Sequence, residues 1–204
     1  MLKILSACFL ACLVSGCGTF YELAIPAQSQ ELPAIPEGKA QVVFMRPNSG
    51  GFGMSSFSAF VVDITGEKDD LLGVFKTATK LVVHFDPGSH RLFASGGMEK
   101  GHIMEMTVEE GKRYYVLVRP KYGHGFQLRP IKHRDNYPFS YSYRDFKPWV
   151  ARSKMILKAD DADLLYKKWK PKFDKAKTHG FAGWDKMNEK QRGELTLLPE
   201  DAEK

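Results

Sequence analysis

Short runs of apolar and β-branched residues recur along residues 40–131, and turn-forming residues separate them. Pro47 ends the first run, and a later run enters a turn in which Pro87 presets φ and Gly88 accepts a positive φ. Runs of this length between such turns are typical of β-strands. The pattern predicts eight strands, at residues 41–46, 57–64, 71–75, 80–85, 90–94, 102–108, 113–119 and 126–131.

The pattern changes to a helical spacing in the C-terminal third of the chain. Asp160 or Asp161 is placed to cap a helix that continues to Trp169, and we expect Pro171 to kink or end it. A second short helix is predicted at 184–192, and a loose tail at 195–204. The whole pattern predicts a mainly β fold, an antiparallel β-sandwich or barrel of about eight strands with a C-terminal helical extension.

The start of the chain has the pattern of a secretory signal. Lys3 supplies a positive charge, residues 4–14 form an apolar run, and the small residues Ser15 and Gly16 follow. The run is too short to span a bilayer as a helix, which takes about 20 apolar residues. We therefore predict a signal peptide at residues 1–16.

The end of this signal, Val14, Ser15, Gly16 and Cys17, resembles the lipobox of bacterial lipoprotein precursors. The resemblance implies that the thiol of Cys17 receives a diacylglyceryl group and that the chain is cut just before it. Gly18, where an aspartate would favour the inner membrane, implies the outer membrane facing the periplasm. The alternative is an ordinary signal peptide with a chance cysteine near its cut.

Three prolines, Pro26, Pro33 and Pro36, lie among small and polar residues after the cysteine. Such a composition is typical of an extended tether. We therefore predict four parts: the signal peptide at 1–16, the lipidated Cys17 and its tether at 17–38, a β domain at 39–132, and an aromatic strip with a helical extension at 133–204.

Cysteine content and charge narrow the possible chemistry. Cys8 and Cys12 belong to the signal and Cys17 to the anchor, so thiol catalysis, disulfides and cysteine zinc sites are excluded from the predicted mature domain. The net charge of +6 attracts anionic partners in general. Export argues against nucleic acid as the partner, and dispersed lysines are mostly a device for solubility.

Five motifs follow one another along residues 39–131: a strand at 42–46 ending in Arg46, a strand at 61–63 ending in Asp63, a short strand at 72–75, a Pro-Gly-Ser-His hairpin at 87–92, and a Gly-Lys-Arg-Tyr-Tyr strand at 110–116. In the order of these motifs the segment resembles a bacterial family, domain of unknown function 2846. The resemblance implies a β domain that is often carried by lipoproteins, and it brings no activity with it.

Candidate catalytic groups are few. The six histidines form neither a close pair nor an HExxH motif, and the loop at 48–56 lacks a GxSxG elbow. His90 follows a tight turn, and we expect it to tie that turn to the backbone. His102, His124 and His133 could converge across neighbouring strands. We predict no catalytic residue, no metal and no cofactor.

Aromatic residues recur at every second position in an aromatic strip, which comprises Tyr137, Phe139, Tyr141 and Tyr143, with Trp149 close behind. In an extended strand these rings would share one face and could stack on sugar rings or on a partner. The alternative, which we favour, is that they pack the extension onto the β domain.

Taken together, the sequence predicts a non-enzymatic, membrane-anchored envelope lipoprotein that binds a protein or another envelope component. One alternative is a lipoprotein that binds a glycan or peptidoglycan through the aromatic strip. A hydrolase is a third reading, for which the sequence supplies no nucleophile and base at suitable spacing.

Overall fold

A computed structural model describes residues 22–48, 57–96, 99–121, 123–135 and 137–204. Its strands are β1 (Ala24–Pro26), β2 (Ala40–Arg46), β3 (Ala59–Asp63), β4 (Asp70–Phe75), β5 (Thr79–Phe85), β6 (Gly88–Ser95), β7 (Gly101–Val108), β8 (Arg113–Lys121), β9 (Gly125–Pro130), β10 (Lys154–Lys158) and β11 (Thr196–Leu197). Its helices are α1 (Phe146–Arg152), α2 (Asp160–Lys168), α3 (Lys170–Asp185), α4 (Glu189–Gly193) and a 3-10 turn at Pro199–Asp201. The predicted signal peptide, Cys17 and residues 49–56 lie outside the described residues.

The strands form two mixed sheets. The first sheet has six strands in the order β1-β10-β5-β2-β8-β9, and the second has five in the order β11-β7-β6-β3-β4. Neighbouring strands joined by short turns pair antiparallel, as β3 does with β4, β6 with β7 and β8 with β9. Parallel pairing occurs where the intervening chain is long, between β2 and β8, β5 and β10, and β7 and β11.

The two sheets bury one apolar layer between them. Val42 and Phe44 of β2 meet Val61 of β3 and Leu92 of β6 in this layer. Because side chains alternate across a strand, Val43 must then point away from the partner sheet. The inner layer thus accounts for one face of β2, and the apolar side chains on its other face need a second cover.

Helices α2 and α3 cover the outer face of the second sheet. Phe60 of β3 packs against the ring of Phe173 on α3 at 4.9 Å between centroids, and Leu165 and Trp184 join the same cluster. Phe173 is 1% exposed. The outer face of the second sheet is therefore also buried.

The aromatic strip and helix α1 cover the outer face of the first sheet. Val43 and Met45 of β2 and Tyr115 of β8 pack there against Phe146 and Trp149 of α1. All seven residues of β2 are buried as a result. A strand that is covered on both faces has consecutive apolar residues instead of alternating ones, as β2 has from Val42 to Met45.

The prediction of a mainly β fold with a C-terminal helical part is confirmed. The architecture is a sandwich, and in the described part of the chain neither sheet closes into a barrel. The sheets are mixed rather than purely antiparallel, partly because β10 and β11, which the pattern did not predict, add to them in parallel.

The helical extension differs in detail from its prediction. Ala159 is the N-cap residue of α2, and Asp160 and Asp161 lie in its first turn, where carboxylates favour the positive end of the helix dipole. Pro171 lies in the first turn of α3, a position that does not require a backbone N–H. The proline therefore begins a helix of 16 residues.

The predicted loose tail at 195–204 is wrong. Leu197 forms β11 beside β7 and is fully buried, and Ala202 is 8% exposed. The hydroxyl of Tyr141 donates a hydrogen bond to the carbonyl oxygen of Asp201 at 2.8 Å. The tail is ordered because it closes the edge of the sandwich.

The segment at 22–38, expected to be part of a free tether, lies against the β domain. Strand β1 pairs antiparallel with β10, so that Ile25 stands opposite Leu157. Farther along, the side-chain amide of Gln41 donates to the carbonyl oxygen of Pro33 at 3.1 Å, and the backbone N–H of Gly38 donates to Glu110 at 2.9 Å. Residue 22 is thus already fixed to the domain.

Candidate functional site

The aromatic strip forms a series of turns over the first sheet instead of a strand. Its one ladder contact is a single parallel bridge between Lys132 and Ser140. Tyr137, Phe139 and Tyr143 are each partly exposed. The rings therefore do not form the shared open face that the alternating pattern predicted.

The rings of the strip pack on the sheet and on one another. The ring of Tyr141 lies edge-on to the rings of Tyr115 and Phe146, with 6.0 and 5.0 Å between centroids. It also stacks on the ring of His133, with 4.4 Å between centroids. Trp149, which is 4% exposed, contacts Tyr143 at 5.5 Å. These contacts fasten the extension to the β domain, as the packing alternative describes.

Two tyrosines, Tyr115 of β8, which is buried, and Tyr141 of the strip, which is partly buried, bond to the C-terminal tail. The Tyr115 hydroxyl donates to the carboxylate of Glu203 at 3.0 Å, and the Tyr141 hydroxyl donates to the backbone of Asp201. Burial raises the pKa of both phenols well above the ordinary value. Both hydroxyls therefore remain neutral donors, and neither is available as a base.

An ion cluster centred on Glu194 fixes the other end of the strip. The guanidinium groups of Arg129 and Arg134 approach its carboxylate at 2.5 and 2.9 Å, and the Tyr137 hydroxyl also donates to it. Burial acts to raise the pKa of Glu194, but the bond from Tyr137 and the two arginines outweigh it and lower the pKa. The carboxylate is therefore charged and fully paired at neutral pH.

Beside this cluster the strip encloses an open hollow, here called the strip hollow, of about 750 Å³. Its wall combines aromatic edges, hydroxyls, one carboxylate and one guanidinium, contributed by Asp135, Tyr137, Pro138, Ser140, Ser142, Tyr143 and Arg144. Groups of both charges beside hydroxyls suit a polar ligand with several hydrogen-bonding groups, such as a sugar or a peptide.

His90 ties its turn to the backbone, as the sequence predicts. One ring nitrogen contacts the carbonyl oxygen of Asp86 at 2.9 Å and the other contacts the carboxylate of Asp63 at 3.2 Å. The bond to Asp63 is the main reason that the pKa of His90 is raised. Because both nitrogens are occupied, this ring has no lone pair to offer to a substrate.

The other histidines do not assemble into a site. His102 contacts the backbone oxygen of His124 at 3.0 Å, whereas His133 contacts that of Ala202 at 2.7 Å, so the three histidines that could have converged do not form one cluster. Burial lowers the pKa of His102 to about 4. No group of three or more His, Cys, Asp or Glu side chains suited to a metal occurs among the described residues.

A buried arginine was not recognised as important from the sequence. Arg46 ends β2, is fully buried, and donates to the backbone oxygens of Phe57 at 2.6 Å and Phe75 at 2.8 Å. Its guanidinium also lies 4.7 Å from the ring centre of Phe126. Burial lowers its pKa to about 10, so it stays charged at neutral pH. Its role is to join the two sheets.

Comparisons with known proteins identify no relative of the chain. No family model matches the chain, and neither the curated proteins nor the solved structures include a match to it. The likeness of residues 39–131 to domain of unknown function 2846 therefore stays a prediction. None of the helices in the described ranges is long and apolar enough to cross a membrane.

The pair of Asp63 and His90 makes a pH-dependent contribution to stability. The raised pKa of His90 stabilises the fold below its ordinary value of 6.5, and this is lost as pH rises through the raised pKa. The pKa of Asp63 is lowered against the effect of burial by bonds from His90 and Thr65, so its contribution exists above 3.8 and is lost on further acidification. The pair therefore stabilises the fold most between pH 3.8 and pH 6.5.

We expect His90→Gln to lower the free energy of unfolding by about 1.5–3 kcal/mol near pH 5.5, the range typical of a hydrogen bond to a charged group. The loss should shrink as pH rises, because the wild-type ring becomes neutral. Urea unfolding at a series of pH values measures both. The control is His179→Gln on an exposed position of α3. An equal loss for His90→Gln at every pH would contradict this assignment.

Proposed function

We propose that the chain is a non-enzymatic lipoprotein of the bacterial cell envelope, anchored through lipid on Cys17 and binding a protein or another envelope component. Its location in this proposal is the outer membrane, facing the periplasm. The observation on which it rests most is the sequence Val14, Ser15, Gly16 and Cys17 directly after an apolar run. The small residues Ser15 and Gly16 stand directly before the Cys17 thiol, which is the order that lipid transfer and cleavage require.

The anchor is sufficient to hold the domain without help from charge. One acyl chain binds a membrane only marginally, since each buried methylene contributes about 0.8 kcal/mol, and stable attachment takes two signals. A diacylglyceryl group brings two chains to Cys17. The basic residues are therefore free to serve solubility.

The absence of enzymatic activity in this proposal rests on how the candidate groups are engaged. Among the described residues, His90 has both ring nitrogens occupied, and His102 is neutral and faces a backbone oxygen. The phenols of Tyr115 and Tyr141 are committed to the tail. A purified domain with an activity that one point mutation abolishes would overturn this part of the proposal.

The strip hollow supports the binding part of the proposal and keeps the glycan alternative in play. It presents the Arg144 guanidinium, whose residue is exposed, together with the hydroxyl of Ser142 and the ring of Tyr143. Sugar hydroxyls bond to such groups, and a peptide would use the same ones. The partner's class is therefore the question for experiment.

The anchor is tested by the intact mass of protein extracted from membranes. We expect the wild type to lack residues 1–16 and to carry the mass of two or three acyl chains. Cys17→Ala should lose both the cleavage and the added mass, since no thiol is left to alkylate. A wild-type mass equal to that of an unlipidated chain would contradict the anchor.

The glycan alternative is tested by sedimentation with purified peptidoglycan. If that alternative holds, wild type pellets with the sacculi and Arg144→Ala reduces the bound fraction several-fold. The matched control is Arg152→Ala, which removes an equal charge from an exposed position on α1 that does not line the strip hollow. No pelleting would exclude the glycan and leave a protein partner. Pelleting that the two substitutions reduce equally would exclude the strip hollow as the binding site.

A further inference from the structure

Two large apolar side chains stand uncovered on the outer face of the first sheet. Ile25 of β1 is 36% exposed and Leu157 of β10 is 50% exposed. The two residues are direct partners across an antiparallel pair, so their side chains share one face and lie about 5 Å apart. We call these two residues the β1–β10 patch.

The patch differs from the rest of the same sheet face. Elsewhere on that face Val43, Met45 and Tyr115 lie under α1 and the aromatic strip. Ile156, the neighbour of Leu157, faces the inner layer between the sheets. The patch is therefore a continuation of an apolar face beyond the edge of its cover.

The position of the patch is tied to the start of the chain. The backbone N–H of Glu22 donates to the carboxylate of Asp161 at 3.0 Å, and Ala159 donates to the carbonyl oxygen of Leu23 at 3.4 Å. The chain is thus held against the domain from Glu22, three positions before Ile25. The membrane to which Cys17 is anchored must therefore lie near the β1 edge of the domain.

The reach of the intervening chain sets the distance. Cys17 stands five positions before Glu22, and an extended chain spans at most about 3.5 Å per residue, or about 18 Å in total. A domain of this size is roughly 40 Å across. If the membrane lay against the far edge of the domain, where β11 lies, the five residues before Glu22 could not reach it. A membrane that holds Cys17 must therefore lie nearer to the β1 edge.

We propose that the β1–β10 patch rests on the lipid bilayer and that Ile25 and Leu157 enter the boundary between head groups and acyl chains. This inference rests on the proposed lipid at Cys17. Exposed charges of both signs lie next to the patch in the sequence, Glu22 before β1 and Lys154 and Asp160 at the two ends of β10. The contact is accordingly apolar, and it does not require anionic lipid. It orients the domain with the β11 edge away from the membrane.

The experiment uses the lipidated full-length protein with one reporter at a time. In the mature chain the thiol of Cys17 is consumed by the lipid, so Leu157→Cys supplies a single free thiol for a bimane label. The matched control is Leu198→Cys, at a residue that is 37% exposed and follows β11 at the opposite edge. Both proteins are reconstituted into phosphatidylcholine vesicles that contain nitroxide-labelled acyl chains.

We expect the label at position 157 to be quenched by the nitroxide lipids several-fold more strongly than the label at 198, and to shift to shorter wavelength. Ile25→Cys should behave like Leu157→Cys and guards against a local effect of one substitution. Equal quenching at positions 157 and 198 would overturn the inference. A blue shift at 157 without quenching would also overturn it, because it would indicate that protein and not lipid covers the label. Flotation of the vesicles separates the two proposals: protein that fails to float refutes the lipid anchor and the inference with it.

Discussion

The fold depends on covering both outer faces of an apolar sandwich. In β2, Val42 and Phe44 fill the inner layer while Val43 and Met45 need a second cover, and each such side chain contributes roughly 1.5–3 kcal/mol when it is removed from water. The C-terminal extension supplies that cover twice, with α1 and the aromatic strip on one side and α2 and α3 on the other. It is therefore part of one folding unit with the β domain.

Polar contacts determine where the covering layers attach. The carboxylate of Asp69 receives the Tyr166 hydroxyl at 2.9 Å and the Lys177 ammonium at 2.8 Å, which joins α2 and α3 to the turn before β4. Burial acts to raise the pKa of Asp69, but these bonds outweigh it and lower the pKa. On the other side Glu194 plays the same part for the strip. Each layer is thus held by apolar burial and positioned by one paired carboxylate.

The strands of the β domain could be predicted from sequence because their signal is local. Residues 41–46 end at a proline, and the turn with Pro87 and Gly88 is dictated by backbone chemistry. Of the strands that were missed, β11 has two residues and β1 has three, and each exists through its partner strand. The third, β10, has a short apolar run at residues 155–157 to which the pattern assigned no element. In the strip, alternating rings suggested a strand, but the rings pack inward around turns instead. The strip hollow, formed by those turns, could not be predicted for the same reason.

Removal of the extension tests this account most directly. A chain that ends at residue 132 keeps β2 to β9 and loses the covers of both outer faces. The account predicts no cooperative unfolding transition in urea and strong binding of a hydrophobic dye, because two apolar sheet faces are exposed at once. A truncated chain that unfolds cooperatively with the stability of the full protein would contradict it, and would make the extension an appendage on a self-sufficient domain.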